Sequence, residues 1–407
     1  MSGRLGEGPP THAAWCSIAI QAPIAPRVSR SSSCRRVLIL SAGVGRGHHA
    51  AAEGLRDELL RMAPDVRVTV RNGLGASKGP LRVFLERFTR WQLTHCPAAY
   101  SFSYFIGVRC KLGRQIALRV LYGAARSRLG SLIDAEEPDV VVSTYPGITA
   151  PLGVMRQRGQ LHVPVCALVT DFASLHFWVH PGADLHLASY AESLGEIGAI
   201  AAGAPAKAAR PPLSLTHWRP REKCAARREL GLDLEPPLVL VSGGGWGIGD
   251  LRGAISAALE VKHVQVIVVC GENERATRRL SSHYASHPRV RVLGYTHAMA
   301  DLLAAVNVLV HSTGGMTCLE AAAQGCPVIA YGFAHGHVRH NVKAMLRHGL
   351  IRHARDSHEL TRELRQTLDC TPAPAPDTHD RACASTAILE LIGHTAALPV
   401  MTPTRIG

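Results

Sequence analysis

Five times in the second half of the chain a short apolar run ends in a glycine or a polar turn. Leu238–Ser242 enters Gly243-Gly244-Gly245-Trp246-Gly247-Ile248-Gly249, Gln265–Cys270 enters Gly271, and Val290–Leu293 enters Gly294. The run 306–310 enters His311-Ser312-Thr313-Gly314-Gly315, and Val328–Tyr331 enters a loop of glycine and histidine. Short, unbroken apolar runs mark strands buried on both faces of a parallel sheet. Their turns then line the carboxyl edge, where open α/β sheets hold ligands. The first half follows the same scheme with Arg36–Ser41, Pro138–Thr144 and Val163–Asp171, and Val66–Val70 alternates as a further strand. Residues 203–237, rich in proline, alanine and charge, separate the halves. The expected fold is α/β in two domains, 35–205 and 237–371, joined by a linker at 206–236. A tail over 1–34, rich in Gly, Pro, Ser and Arg, is expected to be disordered. A last helix and tail occupy 372–407. A chain of 407 residues suits two cores better than one.

Charge narrows the partners. Lys and Arg number 45 against 31 Asp and Glu, a net charge of +14 that favours an anionic partner. No apolar run approaches the ~18 residues that cross a bilayer. Ile18–Pro23 is too short and poorly flanked for a signal peptide. The 11 cysteines are scattered without a C-x-x-C pair, as in a reducing compartment. Between Arg82 and Arg128 stand nine Lys or Arg against one acid, Glu86, with Phe84, Phe88, Trp91, Tyr100, Phe102, Tyr104, Phe105 and Tyr122 interleaved. Read as helix, this stretch is either a solvated basic face or a surface for an anionic membrane, arginines at the phosphates and aromatics at the interface. No nucleic-acid module surrounds it, so nucleic acid is not the expected partner. A cytoplasmic protein, peripheral on the inner face of the membrane, is expected.

The turns carry the chemistry. Gly314-Gly315 opens a helix whose first amides have no partner, a ready anion site. Glu320, under two turns on, suits a pair of vicinal hydroxyls such as a ribose diol. Five glycines in the seven residues 243–249 exceed what a turn needs, and backbone amides cradling a diphosphate would use them. No Gly-Lys-Ser/Thr follows, so this is not a Walker A loop. Gly45-Arg46-Gly47-His48-His49-Ala50 fits G-x-G-x-x-A, but the acid expected downstream, Asp65, falls before a strand rather than after it. The other reading is a glycine loop at a helix start that presents His48 as a base near neutral pH. Asp171 closes the strand Val163–Asp171. His176, His180 and His186 nearby match no metal spacing, and no metal is expected.

In this order and spacing the motifs resemble the monogalactosyldiacylglycerol synthase and processive diacylglycerol glucosyltransferase family, from about Arg36 to Gly349. More distantly they resemble the peptidoglycan lipid-linked N-acetylglucosaminyltransferase. The residues that carry the likeness are Gly45–Arg56, Pro138–Pro146, Val169-Thr170-Asp171 with Trp178–Gly182, Gly243–Gly245, Cys270–Asn273 and Gly314–Ala321. The resemblance implies a GT-B fold, two Rossmann-like domains facing across a cleft. It implies an inverting glycosyltransferase moving a hexose from a UDP-sugar to a lipid such as diacylglycerol, with no cofactor. A UDP-sugar epimerase of the same architecture, or a transferase acting on a hydrophobic small molecule, is the alternative. By position, Glu320 would hold the ribose and Thr296 and Met299 the uracil. Gly243, Gly244, Gly245, Gly314, Gly315, Met316 and Thr317 would approach the diphosphate and His337 the sugar, with Asn341 also among the donor-binding residues. His48 and Asp171 would activate the acceptor hydroxyl. The chain departs from the family after Tyr331, where Pro-Gly-Gln-Glu before an Asn is usual and Ala334-His335-Gly336-His337-Val338 and then Asn341 stand here, His337 taking the Gln position. It departs also at Thr313-Gly314-Gly315 in place of Gly-Pro-Gly, and at Trp246 in place of a smaller polar residue.

Overall fold

Alternate residues of the first strand face two different cores, which is why Val37–Leu40 are apolar without a break. In the computed structural model Val37 and Ile39 of β1 (Arg36–Ser41) pack with α1 (Gly47–Met62), while Leu38 and Leu40 pack on the opposite face. The structure describes residues 34–43, 46–74, 88–219, 221–312, 314–332, 335–370 and 381–393. Expectations placed on 1–33, Gly45, 82–87, Thr313, Ala334, 372–380 and 394–407 lie outside the described residues.

The first sheet is completed by β2 (Arg67–Asn72), β3 (Val140–Ser143), β4 (Val165–Val169), β5 (Leu185–Ala188) and β6 (Ala206–Ala208). Its order is β2-β1-β3-β4-β5-β6, with every pairing parallel and Ile39 beside both Val70 and Val142. Between β2 and β3 run α2 (Thr89–His95), α3 (Pro97–Tyr104), one wide helical turn at Phe105–Arg109, and α4 (Lys111–Glu136). The second sheet comprises β7 (Leu238–Ser242), β8 (Gln265–Val269), β9 (Val290–Leu293), β10 (Val308–His311), β11 (Val328–Ala330) and β12 (Arg352–His353). Its order is β12-β11-β10-β7-β8-β9, again parallel. Three further helices matter below: α5 (Met316–Ala323), α6 (Gly336–Arg347) and α7 (Ala384–Leu391).

Strand order changes direction between β1 and β3 in one sheet and between β7 and β10 in the other. Loops that leave adjacent strands in opposite directions open a crevice between them. The loops in question are those before α1, after β3, after β7 and before α5, which are the segments that carry the sequence motifs.

Two boundaries move. β6, read from sequence as the start of the linker, pairs with β5 and completes the first sheet. The last helix is not separate either. Ile388 and Leu389 of α7 are buried in the first domain's core. Glu58 of α1 ties the crossing down, accepting from Arg210 at 2.8 Å and from the Ser385 hydroxyl at 2.7 Å. Removing one member of so enclosed an ion pair costs about 3–5 kcal/mol.

Candidate active site

One cavity of about 420 Å³ lies between the two switch points. Its first-domain wall is made of side chains. His48, the second residue of α1, faces it, its ring edge-on to Tyr145 at 5.1 Å and 5.8 Å from the buried Trp178. The His48 Nδ1 is enclosed, with no hydrogen-bond partner among the described residues. Burial pushes the His48 pKa below its ordinary value, with the nearby Asp171 opposing and His337 adding to the fall. The imidazole is therefore neutral at pH 7 and able to take a proton. Asp171, one residue past the Thr170 that follows β4, holds two donors: Trp178 Nε1 at 2.7 Å and Asn341 Nδ2 at 3.0 Å.

The second-domain wall is built on two glycine turns, with Trp246, Ile248, Met316, Thr317, His337 and Val338 beside them. Gly243, Gly244 and Gly245 line it, with the Gly244 amide donating to Ser242 Oγ at 3.2 Å. The loop depends on Gly247, whose φ is +57° and whose Cβ, were there one, would sit 2.1 Å from the Cys270 carbonyl oxygen. Gly314, Gly315, Met316 and Thr317 also face the cavity, where α5 begins without a side-chain cap. The positive end of its dipole is thus presented to the cavity.

Contacts across the cleft draw the walls together. Arg46 reaches from the start of α1 to the second domain, donating to Tyr295 Oη at 2.8 Å, its guanidinium 4.7 Å from that ring's centre and 3.4 Å from Glu272. Asn341 of α6 accepts from the amides of Phe172 and Ala173 at 3.1 and 3.0 Å, and its Nδ2 also donates to the Gly314 carbonyl at 3.0 Å. Tyr100 Oη meets His337 Nδ1 at 2.8 Å.

A smaller pocket of about 200 Å³ adjoins the cavity at Met316, which lines both. Glu320 opens on it, facing Glu53, Arg56 and Asp57 of α1. Burial raises the Glu320 carboxyl to about 7 against a downward pull from the Thr317 hydroxyl. His217 also lines this pocket, with neither ring nitrogen partnered among the described residues and its pKa pushed down to about 4 by burial.

Most of the residues singled out from sequence meet in the main cavity: His48, Asp171, Gly243, Gly244, Gly245, Gly314, Gly315, Met316, Thr317 and His337. Four do not. Glu320 belongs to the adjoining pocket. Thr296 accepts from the Ala298 amide at 3.1 Å at the start of the next helix, and Met299 packs on the second domain's core. Asn341, expected among the donor-binding residues, is fully buried with all its hydrogen-bonding capacity spent on the protein, two bonds at each amide atom. Its place is between the domains rather than at a ligand.

Sequence reasoning missed Tyr100 and Tyr104. Both line the cavity, and Tyr104 donates to Ser174 Oγ at 2.7 Å. The sequence pattern places the whole basic aromatic stretch on the outer surface. The i, i+4 spacing of the two tyrosines, with Phe102 between them, was the available sign that one helix face turns inward. Among the described residues, no three metal-ligating side chains come together, and no helix is long and apolar enough to cross a membrane.

Comparison with known proteins agrees with this geometry. The family model for monogalactosyldiacylglycerol (MGDG) synthase matches residues 48–200, and that for glycosyl transferases group 1 matches residues 246–370. The processive diacylglycerol beta-glucosyltransferase of Bacillus subtilis is 26% identical over 312 residues, covering 75% of this chain and 80% of that protein. This chain is a glycosyltransferase. The probable chloroplastic monogalactosyldiacylglycerol synthase of Glycine max is also 26% identical, over 77% of this chain but 62% of its own length. Among solved structures, the spinosyn rhamnosyltransferase SpnG aligns over 88% of this chain with a TM-score of 0.57 at 14% identity, which places the fold as GT-B. The TcCGT1 structure, aligned over 83% of this chain with a TM-score of 0.54 at 13% identity, is a complex with UDP.

Proposed function

We propose that this glycosyltransferase moves a hexose from a UDP-sugar to the hydroxyl of a membrane lipid, diacylglycerol being the acceptor its relatives' names point to, with inversion at the anomeric carbon. The observation that carries the reading is one cavity with a neutral, enclosed imidazole near Asp171 on one wall and glycine turns with an uncapped helix start on the other. His48 takes the acceptor's proton as the new C–O bond forms and the bond to the diphosphate breaks. Asp171 stabilises the resulting imidazolium. The departing diphosphate's charge falls on the amides of the 243–245 loop and the start of α5. The ribose extends past Met316 to Glu320, and the assignment of uracil to Thr296 and Met299 rests on the family resemblance.

The helices over the cavity support a lipid acceptor. Their inner side brings Leu93, Tyr100, Tyr104, Val108 and Leu121 to the cavity. Their outer side leaves Trp91, Phe102, Phe105, Leu112, Ile116 and Val120 each at least half exposed. Leu112, Ile116 and Val120 form one i, i+4, i+8 stripe on α4, with exposed Arg109, Lys111 and Arg119 close by in the chain. Each apolar side chain moved into a bilayer contributes about 1.5–3 kcal/mol, and each basic residue near an anionic surface about 1 kcal/mol. An anionic cytoplasmic leaflet matches both terms.

The test is incubation with radiolabelled UDP-sugars and diacylglycerol-containing vesicles. Label in the lipid phase is expected. Label confined to an epimerised, water-soluble sugar nucleotide would move the reading to an epimerase. UDP is expected to raise the melting temperature, and Glu320→Ala to abolish that rise. No stabilisation by UDP would sink the donor site.

A further inference from the structure

The loop that enters α6 is built against the helix that lies under the exposed aromatic surface. Gly336 has φ +54°, and a Cβ there would lie 2.2 Å from Cε1 of Tyr100. The Gly336 amide donates to Ser101 Oγ at 3.2 Å, and that hydroxyl is 3.1 Å from His335 Nδ1. Tyr100 Oη is 2.8 Å from His337 Nδ1, with the two rings edge to face at 6.2 Å. So the whole turn 335–337, where the chain departs most from its relatives' motif, is shaped by α3 of the other domain.

We propose that Tyr100 is a positioning residue that sets the tautomer and orientation of His337 and thereby the enzyme's choice among UDP-hexoses. The proposal rests on the UDP-sugar reading above. The argument starts from the phenol. Burial, reinforced by Tyr104, Tyr145 and Asp171, drives the Tyr100 pKa upward, so the hydroxyl keeps its proton. Among the described residues His337 Nδ1 is that hydroxyl's hydrogen-bond partner. A buried O–H left without an acceptor costs about 1–3 kcal/mol, so the phenol donates and Nδ1 accepts. A neutral imidazole that accepts at Nδ1 carries its hydrogen on Nε2. His337 lines the cavity, and Nε2 has no protein partner among the described residues. The ring thus offers a ligand one N–H donor and no acceptor. A glutamine, usual at this position, would offer both. A single fixed donor discriminates between sugars that differ in where one hydroxyl oxygen stands, because the wrong epimer leaves it unpaired.

Tyr100→Phe keeps the ring against Gly336 and removes only the hydroxyl. The prediction is a rise in KM for the preferred donor and a loss of roughly tenfold in the ratio of kcat/KM between UDP-glucose and UDP-galactose, about one hydrogen bond's worth. The Kd for UDP, which carries no sugar, is expected to stay unchanged. His337→Ala should lose the same selectivity, and adding Tyr100→Phe to it should lose no more. An unchanged donor ratio in Tyr100→Phe, or additive losses in the double variant, would overturn the proposal. So would a parallel loss of UDP affinity, which marks a merely structural role. ¹⁵N-histidine NMR gives a readout independent of catalysis. The wild type should show His337 as the Nε2–H tautomer and Tyr100→Phe a mixture. A wild-type Nδ1–H signal refutes the clamp even if no transfer is ever detected, whereas absent transfer with the Nε2–H signal intact faults only the reaction assignment.

Discussion

The two walls of the cleft are made of different material. The first domain contributes side chains: His48, Asp171, Tyr100, Tyr104, Tyr145 and Trp178. The second contributes two glycine turns, Gly243–Gly245 and Gly314–Gly315, whose amides can approach a ligand closely, with Trp246, Met316, Thr317 and His337 beside them. An anion is held well by amides and a helix dipole, which need close approach and no titratable group. Deprotonating a hydroxyl needs a group whose pKa the surroundings can set. The walls should therefore fail in opposite ways when altered.

The largest effect is expected on the first wall. His48→Ala should lower kcat by about 10²–10⁴-fold, the usual worth of a positioned general base. The Kd for UDP should barely move. If kcat survives, the proton goes elsewhere, and Asp171 is the next group to remove. The second wall should show the reverse split. Gly247→Ala forces a side chain into a left-handed turn and against the Cys270 carbonyl. A strained residue of this kind costs about 1–3 kcal/mol, so a lower melting temperature and weaker UDP binding are expected. The kcat at saturating donor should stay closer to wild type than in His48→Ala. Equal losses of UDP affinity from both variants would dissolve the distinction between the walls.

The first wall has an outer face as well as an inner one, and the two are separable. Ile116 sits on the exposed stripe of α4 and does not line the cavity, so Ile116→Asp alters the outer face alone. Removing one apolar anchor of about 1.5–3 kcal/mol should weaken binding to anionic vesicles by roughly tenfold or more. Turnover of a detergent-dispersed acceptor should be kept. Binding should also fade as salt screens the arginines. Vesicle binding that ignores both the substitution and the salt would leave the outer face without a membrane role.

How much of this could be read from the chain follows from what each feature depends on. Strands buried on both faces announce themselves, because burial demands the same apolar residue types that the sequence displays. β6 did not, since Ala206-Lys207-Ala208 is a short edge strand whose register is set by β5 alone. The glycine turns, His48 and Asp171 were legible as local motifs. Asn341 and Tyr100 were visible as residues but not as partners. Their contacts bridge 170 and 237 positions and exist only when the domains meet. An asparagine near the sugar loop reads as a ligand contact until its amide is found already spent on Asp171, Phe172, Ala173 and Gly314.

The smallest effect tests the one titratable side chain of the second domain placed where a ribose would lie. Burial raises the Glu320 carboxyl to about 7 in the fold, against about 4.5 for the unfolded chain. A raised carboxyl binds more proton folded than unfolded. Its contribution to stability is therefore complete below about pH 4.5 and is lost as the pH climbs through about 7. The lowered pKa values of His48, His180, His217 and His311 act in the opposite sense, costing stability as the pH falls below the ordinary histidine value. The wild-type profile mixes these contributions, and only the difference between wild type and Glu320→Gln isolates the carboxyl. The glutamine variant should gain relative to wild type as the pH rises from 5 to 8, read as a widening gap in melting temperature. UDP held through the ribose should narrow that gap in the wild type, because hydroxyls donating to the carboxylate favour its charged form. A gap that is flat with pH, or that UDP leaves untouched, would mean Glu320 is open to water and away from the nucleotide, and the second wall would then bind its anion through backbone alone.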